Sequence, residues 1–370
     1  MKLLSVSLVI GAFFLTSCGQ SPAEPGAPSS DDLNKTYKWR MVTTWPKNFP
    51  GMGMAPEKIA ERVRIMSNGR LDITVYGAGE VVPALETFEA VSRGTVQMGH
   101  GASYYWRGSV PAAQFFTAVP FGLSAQEMNG WLLHGGGMAL WEELYARFNL
   151  VPISGGNTGT QMAGWFNKEI NSLSDLQGVK MRIPGLGGDV FEAAGGTAVN
   201  IPGGEIFTSL QTGVIDAAEW VGPFNDLVLG FHQVAKYYYY PGWQEPGPNL
   251  ELIVNQESFN QLPKDLQSML RNASLAVNND VLSEYTARNN QALKELVEVH
   301  KVKVRRLPDD VLAALKVISD DKVQALVGDD PLNQRIFDSY QAYRRSVMDY
   351  NELSERAFHN TRAKLEGYAP

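Results

Sequence analysis

Along the body of the chain, segments in which apolar residues recur every second position alternate with segments in which they recur every three to four positions. Residues 37–45 and 71–76 alternate with period two and are rich in β-branched and aromatic side chains, which predicts two strands. Between them, residues 56–67 repeat apolar side chains every three to four positions, which predicts an amphipathic helix. A helix over 85–93 and a strand over 96–101 follow. This order is typical of an α/β unit with a largely parallel sheet.

The same order returns later in the chain. The pattern predicts strands over 180–183, 197–201 and 217–221, with helices over 187–194 and 205–212. Two such units in one chain predict an α/β fold of two lobes with a central cleft between them.

The C-terminal hundred residues are predicted to be mostly helical. Leu262-Pro263 and Leu307-Pro308 are typical helix starts, apolar residues keep helical spacing between 281 and 297, and residues 331–366 form a charged amphipathic pattern. The apolar faces of these long helices either cover the two lobes or pair with a second copy of the chain. The pattern leaves both open.

The first residues predict an export signal. Met1–Leu3 supplies a positive start, and an apolar run over 4–15 is too short to span a bilayer, which takes ~20 residues. The run ends in Leu15-Thr16-Ser17-Cys18, which resembles the lipobox of bacterial lipoproteins, where the cysteine becomes the lipidated first residue. The alternative is a signal peptide with an incidental cysteine. We expect residues 1–18 to be a lipoprotein signal peptide.

Composition and length indicate where the domain boundaries are expected. Residues 19–36 are rich in Pro, Gly, Ser, Ala and acidic residues, which predicts a flexible tether. About 330 residues remain, too many for one ordinary core. We expect lobe I over 37–160 with part of 251–290, lobe II over 161–250, and a C-terminal helical region over 280–370.

Charge and cysteine content limit the kinds of partner and the location that we expect for this protein. Cys18 is the only cysteine, so the body has no internal disulfide. The formal net charge is −7 and Lys and Arg are scattered, which argues against nucleic acid as a partner. Export and lipidation together predict a periplasmic or extracytoplasmic protein that is held to a bacterial membrane by a lipid anchor only.

Two motifs carry a resemblance to a known family. Met181-Arg182-Ile183-Pro184-Gly185 and the stretch over 211–220 resemble the extracytoplasmic solute-binding proteins of TRAP (tripartite ATP-independent periplasmic) transporters. Residues 86–98 resemble the equivalent turn of the first lobe, and the resemblance spans 37–363. It implies the two-lobe periplasmic-binding-protein fold and delivery of a ligand to a membrane permease of the TRAP type.

A branch of that family is closer still. Residues 219–226 and 237–247 resemble the members that bind a 2-oxo acid such as pyruvate, or a 2-hydroxy acid such as lactate, together with a metal ion. Gln244 stands where many relatives have histidine. This branch also implies a homodimer formed through the C-terminal helices.

Arg182 lies on a predicted buried strand, where an unpaired guanidinium is costly. Its planar fork matches either a ligand carboxylate or an internal Asp or Glu. The residue types leave both open, and the resemblance implies the ligand.

The resemblance also implies a cation site. Glu219, Glu245, the amide oxygen of Gln161 and the backbone carbonyl of Trp220 would ligate the ion, and the Trp220 ring and Gln161 would also contact the ligand. These are hard oxygen donors, suited to Na⁺ or Ca²⁺. A monocarboxylate, two glutamates and one arginine leave two negative charges, which modestly favours Ca²⁺. Without the resemblance, we would interpret both glutamates as ordinary surface charges.

Three more residues are candidates for ligand contact. Tyr104 and Tyr105 follow a first-lobe strand, and loops after strand ends line the crevice of open α/β sheets. Their hydroxyls, and the amide of Asn157, would hydrogen-bond the ligand. Aromatic packing is the alternative for the tyrosines.

Ligand capture without chemistry is the function we expect. The alternative is a metal-assisted lyase or hydrolase that acts on a carboxylic acid, using Glu219 and Glu245. None of the five histidines lies in an HExxH or nucleophile-elbow motif, and Gly185-Leu186-Gly187-Gly188 lacks nucleotide-binding spacing. A periplasmic sensor or adhesion module would need an extra domain or repeat, and the sequence shows neither. The sequence therefore predicts a binding protein rather than an enzyme.

Overall fold

The computed structural model describes residues 35–367. The predicted leader over 1–18, with Cys18, and most of the predicted tether lie outside the described residues.

Eleven strands are present among the described residues. They are β1 Tyr37–Thr43, β2 Leu71–Tyr76, β3 Met98–Gly101, β4 Leu150–Asn157, β5 Gly164–Phe166, β6 Lys180–Arg182, β7 Thr197–Val199, β8 Ala217–Ala218, β9 Tyr237–Tyr240, β10 Asn249–Asn255 and β11 Lys303–Arg306.

Twelve α-helices of the same region surround these strands. They are α1 Ala55–Met66, α2 Thr87–Ser92, α3 Ala125–His134, α4 Gly137–Ala146, α5 Gly185–Ala193, α6 Gly203–Gln211, α7 Pro223–Val228, α8 Gln256–Asn260, α9 Lys264–Glu298, α10 Asp309–Ala325, α11 Pro331–Leu353 and α12 Glu355–Leu365. Short 3₁₀ helices occupy Gly51–Gly53, Ala84–Glu86, Ser103–Trp106, Pro111–Phe116, Leu173–Leu176 and Phe231–Gln233.

The strands form two sheets, one in each lobe. The first has the order β2-β1-β3-β10-β4, in which β1, β2 and β3 are parallel and β10 is antiparallel to both neighbours. The second has the order β11-β9-β5-β8-β6-β7, with β6 parallel to β7 and β8. The chain passes from one sheet to the other between β4 and β5, between β9 and β10, and between α9 and β11. The predicted two-lobe α/β fold is confirmed.

Strands β4 and β10 are absent from the sequence-based prediction. All eight residues of β4 and all seven of β10 are buried, because β10 is an interior strand of the first sheet and β4, at its edge, is covered by α9 and α4. Such strands carry no clean alternation of apolar and polar residues. Strand β11 and helix α10 also lie in the second lobe, where α10 packs on α5, so the segment expected to be helical cover contributes one edge strand to that lobe.

The long C-terminal helices are present as predicted, with one difference. Helix α9 has 35 residues and packs against β4 and α1 of the first lobe and against α7 of the second. The amphipathic pattern over 331–366 forms two helices rather than one, because Ser354 leaves helical geometry at φ −112° and ψ −101°. Helix α11 packs on the first lobe through Leu332, Ile336 and Tyr340. Over 35–367, no helix is both long and apolar enough to cross a membrane.

Candidate functional site

Arg182 and Glu219 meet at the carboxyl ends of two parallel strands. Strands β6 and β8 are neighbours in register, with Arg182 opposite Ala218, so Glu219 follows directly beside the arginine. Carboxyl ends of parallel strands face the ligand crevice in open α/β sheets. The side chains of Arg182 and Glu219 are 1% and 0% exposed, so both charges are held away from solvent.

The Arg182 guanidinium is held by several hydrogen bonds. Nη1 donates to the Glu219 backbone oxygen at 2.7 Å and to Glu219 Oε2 at 3.2 Å, and Nε donates to Ile201 O at 3.3 Å. Nη2 donates across the cleft to the hydroxyl of Tyr105 at 3.3 Å. The structure therefore contains the internal ion pair that the sequence left open as one alternative. The opposite nitrogen of the guanidinium, Nη2, points toward the first lobe.

Two carboxylates and an amide lie buried in this cleft. Glu219, Glu245 and Gln161 are 0%, 3% and 4% exposed. Burial raises the pKa of Glu219 well above its usual range, the charge of Glu245 raises it further, and Arg182 acts in the opposite direction. Burial likewise raises the pKa of Glu245 to about 8, against the opposing effects of Arg182 and Tyr104. Two buried carboxylates of this kind are costly to ionise unless a cation lies between them.

Two buried acceptor oxygens of the site lack a hydrogen-bond donor among the described residues. Glu219 Oε1 and Gln161 Oε1 are buried and accept no hydrogen bond within the described part of the chain, and neither atom can donate one. No group of three or more His, Cys, Asp and Glu residues over 35–367 is arranged to hold a metal. A metal here would therefore need the Gln161 amide and a backbone carbonyl beside the two glutamates. That donor set fits Na⁺ or Ca²⁺.

The two inter-lobe connections of the site hold each other in place. Gln161 lies between β4 and β5 and Glu245 between β9 and β10, and the Gln161 N–H donates to the Glu245 backbone oxygen at 3.1 Å. Gln161 Nε2 donates to Thr158 Oγ1 at 3.1 Å, which turns Oε1 away from that bond. Gln244 Nε2 donates to Met162 O at 2.8 Å. The metal-ligand candidates are thus supported by the chain segments about which the lobes would move.

Asn157 is engaged with the backbone of the same connections. Its Nδ2 donates to Gly247 O at 3.1 Å and its Oδ1 accepts from Gly159 N at 2.9 Å. The side chain is fully buried and ties the end of β4 to the start of β10. In this arrangement both polar atoms of the amide have protein partners.

The first lobe supplies an aromatic wall. Tyr104 and Tyr105 lie on the 3₁₀ helix Ser103–Trp106 directly after β3, and the Tyr104 hydroxyl lies 3.5 Å from Glu245 Oε2. Burial raises the pKa of both tyrosines, so both remain protonated donors. On the second lobe, directly after β8, Trp220 is 4% exposed, and the Arg182 guanidinium lies 5.0 Å from the centroid of its ring.

Sequence analysis did not single out Trp45, Phe49 or His100. Trp45 and Phe49 contact the Trp220 ring edge-on, with centroids 6.1 and 6.2 Å apart. The Trp45 indole donates to His100 Nδ1 at 2.9 Å, and His100 Nε2 bonds Gly155 O at 3.0 Å. Burial lowers the pKa of His100 to about 4, so this ring is neutral. The rule for strand ends, applied to β1 as it was to β3, points to Trp45.

Two further buried carboxylates support the site without entering it. Glu251 Oε1 accepts from Trp106 Nε1 and its Oε2 accepts from Tyr145 OH at 2.8 Å, which anchors the turn that carries Tyr104 and Tyr105. Asp226 accepts from Tyr238 OH at 2.6 Å and from Val221 N at 3.3 Å, next to Trp220. Each therefore fixes one wall of the cleft.

Two α/β lobes joined by three chain connections, with a buried arginine and an oxygen-rich cluster between them, define a two-lobed solute-binding protein. A family model, bacterial extracellular solute-binding protein, family 7, matches residues 41–330. The chain belongs to this family, the extracytoplasmic solute receptors of TRAP transporters.

Relatives and solved structures agree with this assignment. A monocarboxylate 2-oxoacid-binding periplasmic protein of Nostoc is 42% identical over 349 residues, which cover 94% of this chain and 93% of the relative. A TRAP solute-binding protein of Pseudoalteromonas atlantica, solved with sodium and pyruvate, is 42% identical with a TM-score of 0.86, covering 88% of this chain and 99% of its own. One of Colwellia psychrerythraea, solved with calcium and pyruvate, has the same identity and TM-score, covering 88% of this chain and 100% of its own.

Proposed function

We propose that this receptor binds a small 2-oxo or 2-hydroxy monocarboxylate, such as pyruvate or lactate, together with Ca²⁺ or Na⁺, and delivers it to a TRAP permease. The observation that carries the proposal is the buried Arg182, set between the oxygen cluster of Glu219, Glu245 and Gln161 and the hydroxyl of Tyr105. An acid with a second oxygen beside its carboxylate matches a site that offers one cationic fork and a cation. The solved relatives with pyruvate support the choice of acid.

Each candidate residue has a role in this proposal. Arg182 binds the ligand carboxylate with the donors that Glu219 leaves free, and Tyr104 and Tyr105 donate hydroxyl hydrogens. Trp220 supplies an aromatic face and Gln161 an amide oxygen. Asn157 would contact the ligand only by exchanging one of its backbone partners.

Glu219, Glu245, Gln161 Oε1 and the Trp220 carbonyl would hold the cation, and the cation supplies the positive charge that two buried carboxylates and a ligand carboxylate need. With Arg182 as the one cationic member of this set, two negative charges remain. Ca²⁺ neutralises them and Na⁺ leaves one in a dry cleft, which favours Ca²⁺ modestly.

The position of His100 supports binding rather than turnover. His100 lies under Trp45 with both ring nitrogens hydrogen-bonded, so it is not placed to act as a general base. We therefore propose that the bound acid leaves unchanged, in contrast to a lyase or hydrolase.

The N-terminal sequence supports a membrane-anchored location outside the cytoplasm. We propose that the signal peptide is cleaved directly before Cys18, that Cys18 carries the lipid, and that 19–36 tether lobe I (37–160 with part of 251–290), lobe II (161–250) and the C-terminal region (280–370) to the membrane. Replacing Cys18 with serine should release the protein from the membrane fraction. A Cys18→Ser protein that stays in the membrane fraction would contradict the anchor.

The C-terminal helices support a homodimer. Helix α12 buries no residue in the single chain, and Leu353, Phe358 and Leu365 are 84%, 59% and 81% exposed. Exposed apolar side chains clustered at one end of a protein are typical of an interface. Light scattering should therefore give twice the chain mass, and Leu353→Glu with Phe358→Glu should give the monomer.

The test of function is calorimetric titration of metal-stripped protein with pyruvate, lactate and a branched 2-oxo acid, with and without Ca²⁺ or Na⁺. We expect binding only in the presence of the ion and recovery of the acid unchanged. Binding without an ion would contradict the cation site, and consumption of the acid would favour the enzyme. No binding of any acid under either ion would overturn the assignment to 2-oxo and 2-hydroxy acids.

A further inference from the structure

An ion pair joins the two lobes outside the ligand site. Arg107 directly follows the 3₁₀ helix Ser103–Trp106 of the first lobe, and Asp189 lies in α5 of the second. Arg107 Nη1 donates to Asp189 Oδ1 at 2.5 Å and to Gly185 O at 3.0 Å. The side chains are 36% and 31% exposed, so the pair lies at the mouth of the cleft and not in its interior.

The geometry of α5 explains why one guanidinium reaches both acceptors. Gly185 and Asp189 are four residues apart, which places them one above the other on the same helix face. Helix α5 begins three residues after Arg182, and Arg107 follows Tyr105 by two residues. The ion pair is therefore attached by short, stiff segments to site residues of both lobes.

The first turn of α5 also touches the first lobe directly. Gly185 has φ +59°, and a Cβ built there would lie 3.0 Å from Tyr104 Cβ. A side chain at this position would both strain the backbone and push Tyr104 away. Glycine thus allows the turn with the tyrosines to lie directly on α5, which brings Arg107 within reach of its partners.

We propose that Arg107 and Asp189 form a closure latch, which stabilises the closed lobes without contacting the ligand. Its partners belong to different lobes, so the contact is lost when the lobes separate. A contact made only in the closed state raises the closed fraction, and the apparent affinity rises by the same factor for every ligand. The inference rests on the proposed function, because it concerns closure around the same site.

The expected size follows from the exposure of the pair. Partly exposed ion pairs contribute modestly, so loss of the latch should raise the dissociation constant about two- to fivefold. The change should fall mainly on the dissociation rate, because the latch forms after the ligand has entered.

The chain offers a matched control. Arg147 and Asp330 have the same 2.5 Å contact between Nη1 and Oδ2, with side chains 47% and 33% exposed. Arg147 follows α4 and Asp330 caps α11, which packs on α4 in the same lobe. This pair does not cross the cleft, so its removal should leave ligand affinity unchanged.

The experiment compares two double-mutant cycles. Arg107→Gln, Asp189→Asn and their combination are titrated with pyruvate and with lactate in Ca²⁺, beside Arg147→Gln, Asp330→Asn and their combination. We expect each of the first three proteins to bind both acids more weakly, by the same factor for pyruvate as for lactate, with the double mutant no weaker than Arg107→Gln. Unchanged affinity, a different factor for each acid, or an equal loss in the control cycle would overturn the latch.

A ligand-independent measurement separates this inference from the proposed function. Small-angle X-ray scattering of ligand-free Arg107→Gln should give a larger radius of gyration than wild type, while Arg147→Gln should not. If no acid binds to any of the proteins, the proposed function fails, and this scattering difference alone decides the latch. An identical radius in all three proteins would then overturn it.

Discussion

Nη1 of Arg182 lies 3.2 Å from Oε2 of Glu219 and 2.7 Å from the backbone oxygen of the same residue. Glu219 therefore holds one side of the guanidinium through both its side chain and its main chain. The other side reaches Tyr105 in the opposite lobe. The pair fixes the arginine inside the cleft before any ligand arrives, which reduces the ordering that binding requires.

Replacing Arg182 with lysine should abolish acid binding while leaving the protein folded. Lysine keeps a positive charge beside Glu219 but loses the planar fork, so we expect the affinity for the acid to fall on the order of 100-fold or more. Calorimetry measures the affinity and thermal unfolding checks the fold. Arg305→Lys, on the exposed strand β11, is the control. Arg182→Lys with affinity within threefold of wild type would remove Arg182 from the ligand contact.

Replacing Glu245 with glutamine should weaken cation binding. The substitution removes one of the two buried carboxylates and keeps the shape, so we expect Ca²⁺ affinity to fall at least tenfold. Titration of metal-stripped protein with Ca²⁺ measures this directly. Glu169→Gln, an exposed carboxylate of the same lobe, controls for net charge. Equal Ca²⁺ affinity in Glu245→Gln and wild type would exclude Glu245 as a ligand.

Gly203 and Gly204 should respond oppositely to alanine. A Cβ on Gly203 would lie 2.2 Å from the Trp220 ring, whereas on Gly204 the nearest atom is 4.0 Å away, and both residues begin α6. We expect Gly203→Ala to displace Trp220 and weaken acid binding at least tenfold. Gly204→Ala should bind normally and gain up to ~1 kcal/mol of stability from helix propensity. Similar affinities for the two variants would show that Trp220 does not shape the ligand site.

Glu251 should make the stability of the fold depend on pH. Burial raises its pKa to about 7 from a usual value of 4.5, so the folded protein keeps this proton between pH 4.5 and 7 and the unfolded chain does not. Its contribution is therefore fully present below pH 4.5 and is lost as the pH rises through 7, on the order of 3 kcal/mol in all.

Chemical denaturation of wild type and Glu251→Gln at pH 5 and pH 8 tests this. The free energy of unfolding of wild type relative to the variant should be lower at pH 8 than at pH 5, because glutamine does not titrate. Glu298→Gln, at the exposed end of α9, controls for the loss of a carboxylate. A constant difference between wild type and Glu251→Gln would show that Glu251 is ionised throughout.

Local patterns were sufficient to predict strands β1, β2, β3, β6, β7 and β8, helices α1, α2, α5 and α6, and the helical character of the C-terminal region. Apolar periodicity and proline-marked helix starts are properties of neighbouring residues, so they can be read before the chain folds. The motifs around Arg182, Glu219 and Glu245 likewise marked which residues to expect in the cleft. The structure brings these three together because β6 and β8 end side by side and the connection after β9 returns over them.

Other features were decided only by tertiary structure. Strands β4 and β10 are buried on both faces, so their sequences lack the alternation that identifies a half-exposed strand. The Asn157 amide donates to the backbone of Gly247, 90 residues away, and the pairing of Arg107 with Asp189 joins residues 82 apart in sequence. Sequence alone indicated many of the helices and strands and the chemistry available to this protein. Their relative placement, and hence which charges face the ligand and which hold the lobes together, depends on long-range packing that no local pattern records.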